Sequence, residues 1–335
     1  MDTFDTYHAF LITSILHFGG STPLSIKDNL VPTVFRSEQV IFSSSSNITR
    51  LLVPSDGSTY FLDDVSDLPS VFFTINDSRL DGGSCIYVLE DLAAYEILEG
   101  GRDSTSDYSE DKSVYFGGKD GVYKYDSESL SAKKFGRFHD DIIQIQKANG
   151  TDVIYFLTSN NKLFKLEQNG TIRTKIEAVT CALEFVLDTS NNIYFIACVD
   201  GLPRIIKTDG NLVTYIASIT EDIQEVHLLR PAFIMVECIP FFGDGNLYVL
   251  YVNGTSERKD FYLNRRISAY SIDAALYLVA ALDGKIYEYN VMEAMLKSMF
   301  GFASNWSTDL SKIVMSIIET TKDSIYKDWN SVFDQ

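Results

Sequence analysis

Lys112-Ser113-Val114-Tyr115-Phe116-Gly117-Gly118-Lys119-Asp120-Gly121-Val122-Tyr123-Lys124-Tyr125 sets two short apolar-aromatic runs on either side of a glycine-rich turn. β-branched and aromatic residues suit a half-buried pleated surface, and glycine supplies the positive φ of a tight reversal, so the stretch reads as a β-hairpin.

The hairpin recurs. Apolar-aromatic runs are centred near residues 72, 115, 155, 194, 234 and 277, at spacings of 43, 40, 39, 40 and 43 residues. A repeat of about 40 residues filled with short strands is the signature of propeller blades. Each unit carries a lead-in strand such as Ile142-Ile143-Gln144-Ile145 or Leu183-Glu184-Phe185-Val186. The aromatic strand follows, then an alternating third strand such as Val122-Tyr123-Lys124-Tyr125, and a fourth such as Gly170-Thr171-Ile172-Arg173. Six repeats predict an all-β, six-bladed propeller with four-stranded blades over residues 50–300. Closing the ring removes exposed sheet edges. The closing strand is expected from the segment before residue 70, where Leu51-Leu52-Val53 and Tyr60-Phe61-Leu62 lie. In the fifth repeat Phe233-Ile234-Met235 reads as the second strand, and Cys238 to Gly245 as a long connection. Residues 1–20 read as a signal peptide or an irregular N-terminal segment. Residues 301–335 read as a tail, helix or extra strand, packed on the propeller.

The formal net charge of −18 repels phosphate backbones and anionic lipid, so neither a nucleic acid nor a membrane surface is expected as partner. Of the four cysteines, Cys181 and Cys198 lie symmetrically about Thr189-Ser190. In a hairpin of that register they face each other, as a disulfide or as two buried thiols. N-glycosylation sequons stand at Asn47, Asn76, Asn149, Asn169, Asn253 and Asn305, which points to secretion. Three of them are Asn-Gly-Thr, and as hairpin turns they need no glycan.

No residue set announces a reaction. The histidines are scattered, and the chain has no nucleophile elbow, no Walker A loop and no dinucleotide fingerprint, so no cofactor is expected. Inner strands offer Gln144, Glu184 and Glu225, too few matched acids for the divalent cation of a metal-dependent lactonase, which stands as the enzymatic alternative. A third alternative is a protein-interaction propeller. In a propeller, second-to-third-strand turns and inter-blade connections gather at one end of the channel. That end is expected to collect Phe138 and His139 beside Asp140 and Asp141, then Phe241 and Phe242, and Tyr262, Arg265 and Arg266. Rings beside guanidinium groups suit a flat, acid-bearing organic ligand. The plainer alternative buries both phenylalanines and leaves the arginines in water.

Val114 to Tyr125, followed by Phe135-Gly136, resembles the insect ommochrome-binding proteins. Val71-Phe72-Phe73-Thr74, followed by Ile86-Tyr87-Val88-Leu89, resembles that family's preceding repeat. The resemblance is best over residues 70–140 and extends to about 290. It implies a secreted, non-enzymatic haemolymph propeller that binds tryptophan-derived ommochrome pigments. It supplies no ligand-contact motif. The chain departs from the family in having no cysteine before Cys85.

Overall fold

The computed structural model describes residues 35–54, 70–80, 82–90, 93–106, 113–214, 223, 225–231, 237–244, 246–262, 267–272 and 277–290. Among the described residues, twenty-four strands form six four-stranded antiparallel sheets, the blades of a six-bladed propeller. Blade one is β2 (Asn47–Leu52), β3 (Val71–Asn76), β4 (Ser84–Glu90) and β5 (Ala93–Glu99). Blade two is β6 (Gly101–Thr105), β7 (Tyr115–Gly118), β8 (Gly121–Asp126) and β9 (Ser131–Lys134). Blade three is β10 (Ile142–Lys147), β11 (Ile154–Thr158), β12 (Leu163–Glu167) and β13 (Ile172–Lys175). Blade four is β14 (Ala182–Leu187), β15 (Ile193–Ala197), β16 (Pro203–Ile206) and β17 (Leu212–Val213). Blade five is β18 (Val226–Leu228), β19 (Cys238–Gly243), β20 (Asn246–Tyr251) and β21 (Ser256–Tyr262). Blade six is β22 (Ala269–Ile272), β23 (Tyr277–Leu282) and β24 (Lys285–Asn290), and its outer strand is β1 (Val40–Ser43).

The ring therefore closes by pairing β1 with β24, upstream of the segments from which a closing strand was expected. Leu51 and Leu52 belong to the inner strand of blade one, and Tyr60–Leu62 lie outside the described residues, as do residues 1–20 and 301–335.

The aromatic second strands weld the blades together. Phe73, Phe116, Phe156, Phe195 and Phe241 share one register and pack toward the preceding blade. One residue earlier, Phe72, Tyr115, Tyr155 and Tyr194 pack toward the following blade. Alternation along a strand thus sends neighbouring side chains into two different inter-blade cores. Each buried ring contributes about 1.5–3 kcal/mol.

Two expectations need correction. Blade five's second strand is Cys238–Gly243, and Phe233–Met235 lies outside the described residues. A short apolar run has the same pattern whether or not it pairs, so periodicity chose the wrong one. The glycine pair of the opening hairpin is not its turn. Gly117 and Gly118 lie inside β7, and the positive φ falls on Gly121, at 131°. Gly117 is needed because a Cβ there would stand 2.5 Å from Ile142 Cγ2 of the next blade.

Candidate functional site

The first strand of each blade lines the central channel. In four of them the pairing register slips at the same place, between Ile48 and Arg50, Gly101 and Asp103, Ile142 and Gln144, and Ala182 and Glu184. Each slip is a bulge that re-aims the residue after it. Those residues, with His227 at the matching register of β18, put one polar side chain from each of five blades into the same tier: Arg50, Asp103, Gln144, Glu184 and His227. In β22 that register is Ala269, and Tyr270 faces back toward blade five.

Three of the five staple one blade to the next. Asp103 Oδ2 accepts from the Ile145 amide at 2.9 Å, Gln144 Oε1 from Phe185 at 3.0 Å, and Glu184 Oε2 from Leu228 at 3.0 Å. A second tier repeats the device. Thr105 Oγ1 accepts from Lys147 at 2.8 Å, Gln146 Oε1 from Leu187 at 2.8 Å, and Ser271 Oγ from Val53 at 3.0 Å. Each inner strand is the open edge of its sheet, so the amides that face away from the ladder lack a backbone partner, and these side chains supply the acceptor.

A strut crosses the channel at the upper tier. Arg230, just after β18 of blade five, reaches blades two and three. Its Nη2 donates to Asp103 Oδ2 at 2.6 Å and to the Ile145 carbonyl at 2.7 Å, and its Nη1 donates to the Ser104 carbonyl at 2.6 Å. Asp103 is 0% exposed, and Arg50 Nε stands 3.6 Å from its other oxygen. The Tyr270 hydroxyl donates to the Arg230 carbonyl from blade six.

Beyond the strut, at the end where the inner strands finish, lies a bowl that opens to solvent. Every blade contributes: Leu52 and Val53, Thr105 and Ser106, Gln146 and Lys147, Leu187 and Asp188, Arg230 and Pro231, and Tyr270 to Ile272. Leu52, Val53 and Leu187 are buried walls, and Arg230 is one-quarter exposed at the base. Asn149 joins the rim, where its amide clasps the next blade. Its backbone N–H donates to Asn191 Oδ1 at 2.7 Å, and Asn191 Nδ2 donates to its carbonyl at 3.1 Å. Burial lifts the Asp188 carboxyl above its ordinary value, against the pull of hydrogen bonds from Asn192, Tyr194 and Ser190.

The end foreseen from the sequence is the opposite one, where the inner strands begin. Phe138 is half-buried there, with Arg137 at 5.5 Å and Arg173 at 5.4 Å from its ring centre, while His139 is exposed. Arg173 is also paired with Asp140. The ring-and-guanidinium arrangement exists, but between the protein's own groups. Phe241 is not a ligand contact: it is 0% exposed and stacked on Tyr248 at 4.9 Å, because it occupies the core register of blade five's second strand. Phe242 is half-buried across from His227. Tyr262 ends β21 opposite Asn246, and Arg265 and Arg266 lie outside the described residues. Also at this end, His227 Nε2 is 2.7 Å from Glu225 and its Nδ1 is 3.9 Å from Glu184. Among the described residues no three His, Cys, Asp or Glu side chains converge as a metal-binding set. No described helix is long and apolar enough to cross a membrane.

Cys181 and Cys198 are joined by a disulfide. Asn47, Asn76, Asn169 and Asn253 are exposed, Asn149 donates its side-chain amide to the Thr189 carbonyl, and Asn305 lies outside the described residues. The bowl was missed because Arg230 and Tyr270 sit in the two blades with the weakest repeat. Its sequence signal was the polar residue that interrupts each apolar inner strand.

No protein-family model matches the chain, and no curated protein is significantly similar to it. Solved structures do share its fold. A gluconolactonase from Xanthomonas campestris has a TM-score of 0.50 at 9% identity, covering 74% of this chain and 87% of that one. The WD40 repeats of RRP9 have a TM-score of 0.51 at 12% identity, covering 76% and 79%. A virginiamycin B lyase from Staphylococcus aureus has a TM-score of 0.49 at 13% identity, covering 73% and 85%. At these identities the likeness concerns the fold alone.

Proposed function

We propose that this propeller is a secreted, non-catalytic carrier of a small flat aromatic metabolite of the ommochrome class, and that the bowl is where it sits. The observation that carries the reading is the convergence of all six blades on one concave site with apolar walls and a guanidinium at its base. Binding sites for small organic molecules are concave and fix the ligand with a few placed polar groups among apolar ones. The likeness of Val114 to Tyr125 to the ommochrome-binding proteins supplies the ligand class.

The test is titration of the purified protein with xanthommatin, read by the visible spectrum and by tyrosine fluorescence. A spectral shift saturating at micromolar pigment is expected. Ser106→Trp, which puts a ring into the bowl from its rim, should weaken binding at least tenfold, whereas His139→Ala and Phe242→Ala at the other end should leave it unchanged. No shift, or lactone hydrolysis abolished by a chelator, would overturn the carrier reading.

A further inference from the structure

We infer that the bowl selects an oxyanion, a carboxylate or phenolate, and that Arg230 is the group that reads it, with Asp103 as the positioning residue behind it. The inference rests on the bowl being the binding site and adds which chemical group it recognises.

The hydrogen-bond inventory of the lining points this way. Gln146 is engaged at both ends of its amide, its oxygen by the Leu187 N–H and its nitrogen by the Leu187 carbonyl. Asp188 accepts from two backbone amides, from Asn192 Nδ2 and from the Tyr194 hydroxyl, so both its oxygens are occupied. Ser271 accepts from Val53, and the Tyr270 hydroxyl donates to a carbonyl. These groups have acceptors turned inward and held by the protein.

Arg230 is different. A guanidinium carries five N–H donors. Three are engaged, with Asp103, Ile145 and Ser104. Among the described residues its Nε–H and the second Nη1 hydrogen have no partner, and the side chain is one-quarter exposed to the bowl. A ligand there meets donors on a cation. A carboxylate or phenolate satisfies them, whereas an amine or a neutral amide N–H places donor against donor.

Local charge at the bowl favours the same ligand, against the chain's net charge of −18. Arg50 and Arg230 both face Asp103, and Lys147 lines the bowl with Asp188, so three cations meet two carboxylates. The Asp103 carboxylate and two carbonyls fix the guanidinium plane before any ligand arrives, which removes the ordering cost from binding.

The test uses a probe simpler than the pigment: 2-naphthoate against 2-naphthamide, equal in ring and differing in charge, by calorimetry on the full chain. Naphthoate should bind at least tenfold more tightly than naphthamide. Arg230→Met should bring the two within twofold, and Arg230→Lys should keep a preference for the acid. Asp103→Asn should narrow the ratio and Asp103→Glu restore it, which a merely structural role would not do. Equal affinity of acid and amide for the unaltered protein would overturn the inference without any variant having to fold, as would no naphthoate binding at millimolar concentration. Naphthoate binding without xanthommatin binding would instead sink the ommochrome reading and leave the oxyanion site standing.

Discussion

Removing the Arg230 guanidinium should loosen the ring as a whole, because it ties blade five to the blades across the channel. The perturbation is Arg230→Met, which keeps the length of the stem and deletes the charge. Asp103 is then left 0% exposed, with the Ile145 amide at 2.9 Å and Arg50 Nε at 3.6 Å as its remaining partners. Breaking a buried ion pair from one side costs about 3–5 kcal/mol, since the surviving charge stays desolvated. Arg50 is 39% exposed and the Arg230 side chain 25%, so water and Arg50 screen part of that loss, and the lower end, about 3 kcal/mol, is expected. For a protein of this size that is a fall in Tm of roughly 4–6 °C. The second arm is the double variant Asp103→Asn with Arg230→Met. With both charges gone the desolvation penalty goes too, and stability should recover by more than 1 kcal/mol relative to the single variant. Urea unfolding followed by near-ultraviolet circular dichroism gives all three values. A loss below about 0.5 kcal/mol for Arg230→Met, or simple additivity of the two substitutions, would refute the strut.

Three further outcomes follow from particular contacts. Gly117→Ala places a methyl 2.5 Å from Ile142 Cγ2 and should cost about 1–3 kcal/mol in urea unfolding, with part regained in Gly117→Ala/Ile142→Val. Replacing Cys181 and Cys198 by serine opens a link spanning 17 residues and should cost about 3 kcal/mol, while intact mass with and without reductant should differ by the two hydrogens of one bridge. Burial raises the Asp188 carboxyl in the folded state, so the native protein keeps a proton that the unfolded chain has released. Stability from this group is present below the unfolded value of 3.8 and is lost as pH rises through the folded value. Asp188→Asn should erase that slope in the urea midpoint between pH 3.5 and 6, and should also cost about 1–3 kcal/mol for the donors it no longer accepts. An unchanged slope would place the proton elsewhere.

The blades were legible because each needs the same thing from its second strand. Two successive rings must point into two different cores, and Phe72-Phe73, Tyr115-Phe116, Tyr155-Phe156 and Tyr194-Phe195 all answer that need. Blade five was misplaced because Pro240 replaces the first aromatic of the pair. The apolar Phe233–Met235 then imitated a buried strand at the right spacing. Closure was missed for another reason: β1 is hydrogen-bonded to one strand, β24, and carries no internal repeat of its own. The site was misplaced because a binding surface was sought in connections, where aromatics and arginines catch the eye. Phe138 and Arg173 are a stacked pair within the protein, and Phe241 holds a register that every other blade fills with core.

Polar residues inside the channel carry the opposite lesson. Gln144 and Glu184 stand in apolar inner strands, where an enzyme's ligands would stand, and they accept backbone amides of the following blade. An inner strand is the open edge of its sheet and must find acceptors for the amides that face away from the ladder, and the nearest polar side chain belongs to its neighbour. Polarity at this register is therefore explained before any substrate is invoked. Chemistry has to be sought where that requirement is already met and something remains. Asp103, Gln144 and Glu184 each engage the amide that requires them. Arg230 holds the Asp103 carboxylate and two carbonyls through three of its donors and, at the base of the bowl, keeps two without a partner among the described residues. The surplus, rather than the polarity, separates a binding group from a staple, and it singles out a residue that neither the repeat nor the family likeness had drawn attention to.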